Sequence, residues 1–144
     1  MTYTTLDDRA AAAPQISATD ISALKEAGFR AIICNRPDHE DPGQPTSAEI
    51  EAAAEAAGLA YALVPLGREP LTPALIERMR AALDDLPGPV LLYCRSGTRS
   101  TTLWALAEAS RGRAADELIR RAAQAGYDLG PYRAVLTDLA KRAG

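Results

Sequence analysis

One stretch of this chain concentrates groups able to do covalent chemistry: Cys94-Arg95-Ser96-Gly97-Thr98-Arg99-Ser100. Cysteine attacks electrophiles as its thiolate, so a reactive cysteine needs surroundings that favour the anion. A loop that leaves a strand and enters a helix within a few residues supplies them. Its backbone N–H groups lack partners in the chain and turn toward a common centre. The helix N-terminus adds a partial positive charge at the same spot. Gly97 permits the positive φ that so tight a curl requires. In this reading Cys94 is the nucleophile and Arg99 a planar, bidentate anchor for an anion, which lysine cannot copy. Ser100 is placed to donate its hydroxyl to the sulfur. Arg95, Ser96, Gly97 and Thr98 form the substrate-binding cradle, with Arg95 reaching outward. Cysteine is also a common buried side chain, but a core cysteine needs neither two arginines nor flanking hydroxyls.

The elements that must position this loop follow from turn and cap signals. Ser17-Ala18-Thr19-Asp20 and Thr46-Ser47-Ala48-Glu49 read as capping boxes, opening helices that stop at Gly28 and Gly58. Phe29 to Cys34 and Leu59 to Val64 read as strands after those glycines. Thr72-Pro73 opens a third helix, with Leu75, Ile76, Met79 and Leu83 on one face. Pro87-Gly88-Pro89 ends it, and Val90-Leu91-Leu92-Tyr93 is a continuous apolar run of the kind buried on both faces of a parallel sheet. Helices are expected over Arg99 to Ser110, Ala114 to Ala125 and Pro131 to Arg142. The alternation predicts an α/β fold, a small and mainly parallel central sheet flanked by helices. Its functional loops lie at the carboxyl ends of the strands, where Cys94 falls. The alanines Ala10 to Ala13 give no functional cue.

Further residues stand near this presumed site. Arg36 leaves the end of a strand, where it supplies a second cation for substrate, orients a loop carboxylate, or pairs at the surface with Asp38 or Glu40. Cys34 reads as a small core side chain between apolar neighbours, with a resolving thiol for Cys94 as the alternative. His39, the single histidine, reads as a solvent-facing loop residue. Trp104 is expected to pack in the core, and residues 111–144 to form amphipathic helices with a solvated arginine-rich face.

The 144 residues suit one domain, 47% hydrophobic and 24% charged. A formal net charge of −3 gives no overall attraction for nucleic acid or anionic membrane, so any anion must be captured locally. Met1 to Arg9 contains no apolar signal core, no run is long enough to span a bilayer, and the two cysteines have no metal-ligand spacing. A cytoplasmic location, where a free thiol persists, is the expectation. No metal or organic cofactor is implied.

The cysteine loop with its preceding Tyr93 resembles those of both rhodaneses and cysteine-dependent phosphatases. The wider pattern is similar to one family, the phosphatase-like domain of bacterial beta-lactamase-hydrolase-like proteins, some of them labelled sulfurtransferases. The resemblance is carried by Gln15, Gly28-Phe29-Arg30, Asn35-Arg36-Pro37, Glu40-Asp41-Pro42-Gly43-Gln44-Pro45, the segment Glu49 to Gly58, Pro87-Gly88-Pro89-Val90 and the cysteine loop. It spans roughly residues 14 to 110. It implies a dual-specificity-phosphatase-like fold rather than the rhodanese fold, whose usual Asp-Val-Arg signature is missing.

Two departures from phosphatases bear on the chemistry. Four residues separate Cys94 from Arg99, the rhodanese-like count, where phosphatases have five. The segment Val64 to Pro70 offers no aspartate to protonate a leaving oxygen; Glu69 is its only acid and thus the possible general acid. Such acid catalysis typically contributes about 10²–10⁴-fold in rate, whereas sulfite or an acidic thiol leaves without it. The expected function is sulfane-sulfur transfer from a small anionic donor, thiosulfate or a persulfide, through a Cys94 persulfide to a thiol acceptor. The alternatives are phosphomonoester hydrolysis and an anion-binding or redox-sensing module without turnover.

Overall fold

The computed structural model describes residues 1–143. Five strands form its sheet: β1 (Thr4–Thr5), β2 (Ala10–Ala13), β3 (Ala31–Cys34), β4 (Ala60–Leu63) and β5 (Val90–Tyr93). They lie in the order β1-β2-β5-β3-β4. Only β1 runs antiparallel, against β2; the other pairs are parallel, with Ala13 and Cys34 both opposite Tyr93. The three strands expected from apolar runs are all present. The alanine run Ala10–Ala13 is a further one, completely buried and hydrogen-bonded along β5.

Although the strand runs are continuously apolar, alternate residues face different layers. Ala10, Ala12, Ala31, Ile33, Val90 and Leu92 enter a core with side chains of α3 (Pro73–Asp85), α4 (Thr98–Ser110), α5 (Ala115–Gln124) and α6 (Arg133–Ala143). Ala11, Ala13, Ile32, Cys34, Leu91 and Tyr93 enter a second core with α1 (Ile21–Glu26) and α2 (Ser47–Ala56). On β2, only the methyl groups of Ala10 and Ala12 face the layer that holds α4. Helix α4 is buried almost all round, from Ser100 through Ala107 and again at Ala109. Such a helix has no polar stripe, because it sits between the sheet and the outer helices.

The caps form largely as the sequence predicts. Thr46 and Thr72 accept N–H bonds from Glu49 and Leu75 at 3.2 Å, and Pro73 opens α3. The Ser17 N–H donates to the Asp20 carboxylate at 2.8 Å. The turn it starts is 3₁₀ over Ala18–Asp20 before α1 begins. Trp104 is 1% exposed, with the Arg113 guanidinium 5.5 Å above its ring centre, so it is a core residue. Among the described residues no helix is long and apolar enough to cross a membrane.

Candidate active site

Strand β5 is flanked by parallel neighbours on both sides, so its carboxyl end opens onto a crevice bounded by the loops after β3 and β4. Cys94 stands at that end, with its side chain fully buried. The chain then turns into α4 through Gly97, whose φ of 94° and ψ of −12° lie in the left-handed region. Gly97 is the N-cap, and its N–H donates to Cys94 Sγ at 3.0 Å. Among the described residues the N–H groups of Arg95 and Ser96 have no backbone or side-chain partner. The curl predicted from sequence is therefore present, with one donor already on the sulfur and others free for an anion.

Tyr127, just after α5, covers this curl. Its hydroxyl donates to the Ser96 carbonyl at 3.3 Å, and a Cβ on Gly97 would lie 2.1 Å from that oxygen. Glycine is thus required twice, by backbone conformation and by the tyrosine. No sequence cue singled out Tyr127.

Arg99, in the first turn of α4, is committed to a carboxylate. Its Nη1 and Nη2 donate to Glu40 Oε2 and Oε1, both at 2.8 Å, and Nη1 also donates to the Leu66 carbonyl at 2.7 Å. The Glu40 hydrogen bonds and charge raise Arg99 above the usual arginine value, with the nearby Cys94 adding to the effect. In turn the Arg99 fork, aided by Arg36, pulls the Glu40 carboxyl down to about 2.

Arg36 is buried, 3% exposed, and not the surface residue considered from sequence. It donates to Glu40 Oε1 at 2.8 Å, Asp41 Oδ2 at 2.6 Å and Gln15 Oε1 at 2.9 Å. Its role in the structure is to orient loop carboxylates, one of the options the sequence offered. Arg95 projects outward with its side chain 69% exposed and reaches Asp41 at 3.3 Å. The Ser96 hydroxyl donates to Thr98 Oγ1 at 3.1 Å, both at the exposed rim.

Ser100 is fully buried, and its hydroxyl has no hydrogen-bond partner. The expected bond to the Cys94 sulfur is not formed. An unpaired buried hydroxyl costs roughly 1–3 kcal/mol, and such groups in a native fold call for an explanation. Glu69 is exposed on the loop after β4. It lines one open cleft of about 630 Å³ together with Glu40, Asp41, His39, Arg95 and Arg99. His39 is exposed, as expected, at a positive φ of 64°.

Cys34 lies in the second core beside Tyr93 and donates its thiol to the Arg36 carbonyl at 3.3 Å. Burial pushes that thiol up. Tyr93 points the same way, its hydroxyl 3.4 Å from that of Tyr61, and burial raises both phenols. Among the described residues no group of three or more His, Cys, Asp or Glu is placed to hold a metal ion.

Residues 2–111 match the family described as the beta-lactamase hydrolase-like protein, phosphatase-like domain. Beta-lactamase hydrolase-like proteins of Agrobacterium fabrum and Xylella fastidiosa are 38% and 37% identical over 108 and 126 residues. The matches cover 75% and 87% of this chain but 25% and 29% of the relatives, so the chain spans less than a third of either. Among solved structures, a provisionally named phosphatase of Neisseria meningitidis is similar at 35% identity and TM-score 0.83, covering 96% of this chain and 99% of that one. PTPMT1 in complex with PI(5)P shares the fold at TM-score 0.74 and 17% identity, over 98% and 96% of the two chains. The dual-specificity-phosphatase-like fold expected from the resemblance is the one found.

Proposed function

We propose, for a chain that belongs to the family of phosphatase-like domains of beta-lactamase hydrolase-like proteins, that it transfers sulfane sulfur through Cys94. The phosphatase-like fold with its cysteine loop supports an anion-binding enzyme. The sulfur chemistry is our reading of the site. One observation carries it: the carboxyl beside the anchor, Glu40, accepts a bidentate pair from Arg99 and a further bond from Arg36, contacts that favour its ionised form and pull it down to about 2. A group so placed cannot protonate an alkoxide leaving group near neutrality. Asp41, bonded to Arg36 and Arg95, is likewise engaged as an acceptor.

The reaction suited to such a site has a leaving group that needs no proton. The Cys94 thiolate attacks the outer sulfur of a persulfide or of thiosulfate. A new S–S bond forms, the donor's S–S bond breaks, and a thiolate or sulfite departs with the electron pair. An acceptor thiolate then attacks the terminal sulfur of the Cys94 persulfide, leaving as the acceptor's persulfide and restoring the Cys94 thiolate. The Gly97 N–H already donates to Sγ, and the unpaired Ser100 hydroxyl supports a donor role toward the enlarged sulfur anion.

Phosphomonoester hydrolysis is the second reading, favoured by Glu69 on the same cleft as Arg99. Paired turnover assays on the protein and Cys94→Ser decide between them: cysteine hydropersulfide or thiosulfate as donor with glutathione or cyanide as acceptor, and para-nitrophenyl phosphate. Cys94-dependent thiocyanate or glutathione persulfide, with negligible phosphate release, is the expected result. Cys94-dependent phosphate release without sulfur transfer overturns the proposal.

A further inference from the structure

Glu40 occupies Arg99 in a way that is built into the fold. The loop between β3 and α2 is clamped by Gln44, whose Oε1 accepts the Glu40 N–H at 3.1 Å and whose Nε2 donates to the Pro37 carbonyl at 2.9 Å. The Asp38 carboxylate fixes the loop's far end by accepting the Ser47 N–H at 2.8 Å. The buried Arg36, itself held by Gln15, grips Glu40 from behind while Arg99 meets it in a bidentate pair. The Leu66 carbonyl shares the Nη1 end of the same guanidinium. Glu40 lies on an exposed stretch of this loop, but Arg36, Arg99 and Gln44 hold it from several sides at once.

Its consequence is a matter of charge. Arg36, Arg95 and Arg99 face Glu40 and Asp41 in one connected set of ion pairs. Three guanidiniums and two carboxylates leave a single positive charge. A dianion entering this cradle is not fully matched by that charge and stands close to the Glu40 carboxylate. A monoanion, or a neutral hydropersulfide, loses far less.

We propose that Glu40 is the specificity-determining residue of this site, setting the loop against dianions, phosphate monoesters included, by holding the Arg99 fork. The inference rests on reading Cys94–Ser100 as an anion cradle. It deepens the sulfur-transfer proposal by making a hydropersulfide, and not thiosulfate, which is a dianion like sulfate, the favoured donor. An opposing role predicts the opposite sign: if Glu40 only steadies Arg99 for a dianionic ligand, its removal weakens dianion binding.

The test measures binding without turnover. Cys94→Ser and Cys94→Ser/Glu40→Gln are titrated calorimetrically with sulfate, a permanent dianion, and with nitrate as the monoanion. Glu40→Gln is expected to tighten sulfate about tenfold at low ionic strength and nitrate by less, with the gain shrinking as salt is added. Glu40→Asp, which keeps the charge, is expected to leave sulfate weak. Should the glutamine variant not fold, Glu40→Ser carries the same expectation. Sulfate binding that is unchanged or weakened on removing the carboxylate overturns the proposal. Because the nucleophile is absent, a failure of sulfur transfer in turnover assays leaves this result standing, and the reverse also holds.

Discussion

Replacing Gly97 by alanine tests the geometry of the cysteine loop at its tightest point. Two separate costs are expected. The residue sits at φ 94°, where a side chain on an L-residue costs roughly 1–2 kcal/mol. The new Cβ would also fall 2.1 Å from the Tyr127 hydroxyl oxygen and 2.9 Å from the ring carbon bearing it. That contact is impossible, so the ring must swing aside and give up its bond to the Ser96 carbonyl, a loss of about 1 kcal/mol. The tyrosine backbone does not yield easily, since its N–H is bonded to the Ala122 carbonyl at 2.8 Å. The sum is about 2–3 kcal/mol, or roughly 6–15 °C in Tm for a chain of this size.

A double-mutant cycle with Tyr127→Ala, read by thermal and denaturant unfolding, separates the two costs. In the alanine background the collision is gone, and the Gly97→Ala penalty falls to the backbone part alone, about 1–2 kcal/mol. Turnover is expected to stay depressed in both backgrounds, because the strain of an alanine at φ 94° displaces the backbone N–H that residue 97 aims at Cys94 Sγ. A penalty that is the same with and without Tyr127 refutes the packing argument. A penalty below about 0.5 kcal/mol, the size of an ordinary surface change, refutes the backbone argument as well.

The remaining expectations concern charge, the second thiol and the sheet. Glu40 is drawn down to about 2 from an ordinary carboxylate value of 4.5. Its contribution to stability is therefore fully present above about pH 4.5 and is lost as pH falls through about 2. Acid titration of unfolding should show a shallower loss in that window for Glu40→Gln than for the unaltered protein; identical slopes would contradict the pairing. Cys34→Ala should cost on the order of 1 kcal/mol of stability while leaving turnover intact, as its thiol is bound in the second core. Lost turnover in a folded variant would make Cys34 a resolving thiol after all. Ala12→Leu, fully buried between β5 and the α4 layer, should destabilise by at least about 1–3 kcal/mol through overpacking. Near-neutral unfolding data would mean that the layer has room the structure does not show.

The strands β3, β4 and β5 and the caps at Thr46 and Thr72 were readable because their signals are local: apolar runs between glycine and proline, and hydroxyls before helical periodicity. Strand β2 was not. Four alanines favour helix by intrinsic propensity and contain none of the branched side chains that mark strands. Ala10 and Ala12 face the layer that holds α4 and Ala11 and Ala13 face the opposite core, so the setting that makes these residues a strand comes from elements distant in the chain.

The same division runs through the site. The loop is written in consecutive residues, so the place of its cysteine, glycine and arginine could be read in advance. Its cover and its counter-ion are not, since Tyr127 lies 31 residues from Ser96 and Glu40 lies 59 from Arg99. Read along the chain, Arg36, Arg95 and Arg99 look like three cations converging on an anion. In the fold each is already matched to Glu40 or Asp41. Motif residues report which groups reach a site, but the charge a ligand meets there is a sum over neighbours that only the tertiary structure supplies. A cysteine loop built for dianions and one built against them can therefore carry the same local sequence, and the residue that tells them apart sits on a different loop.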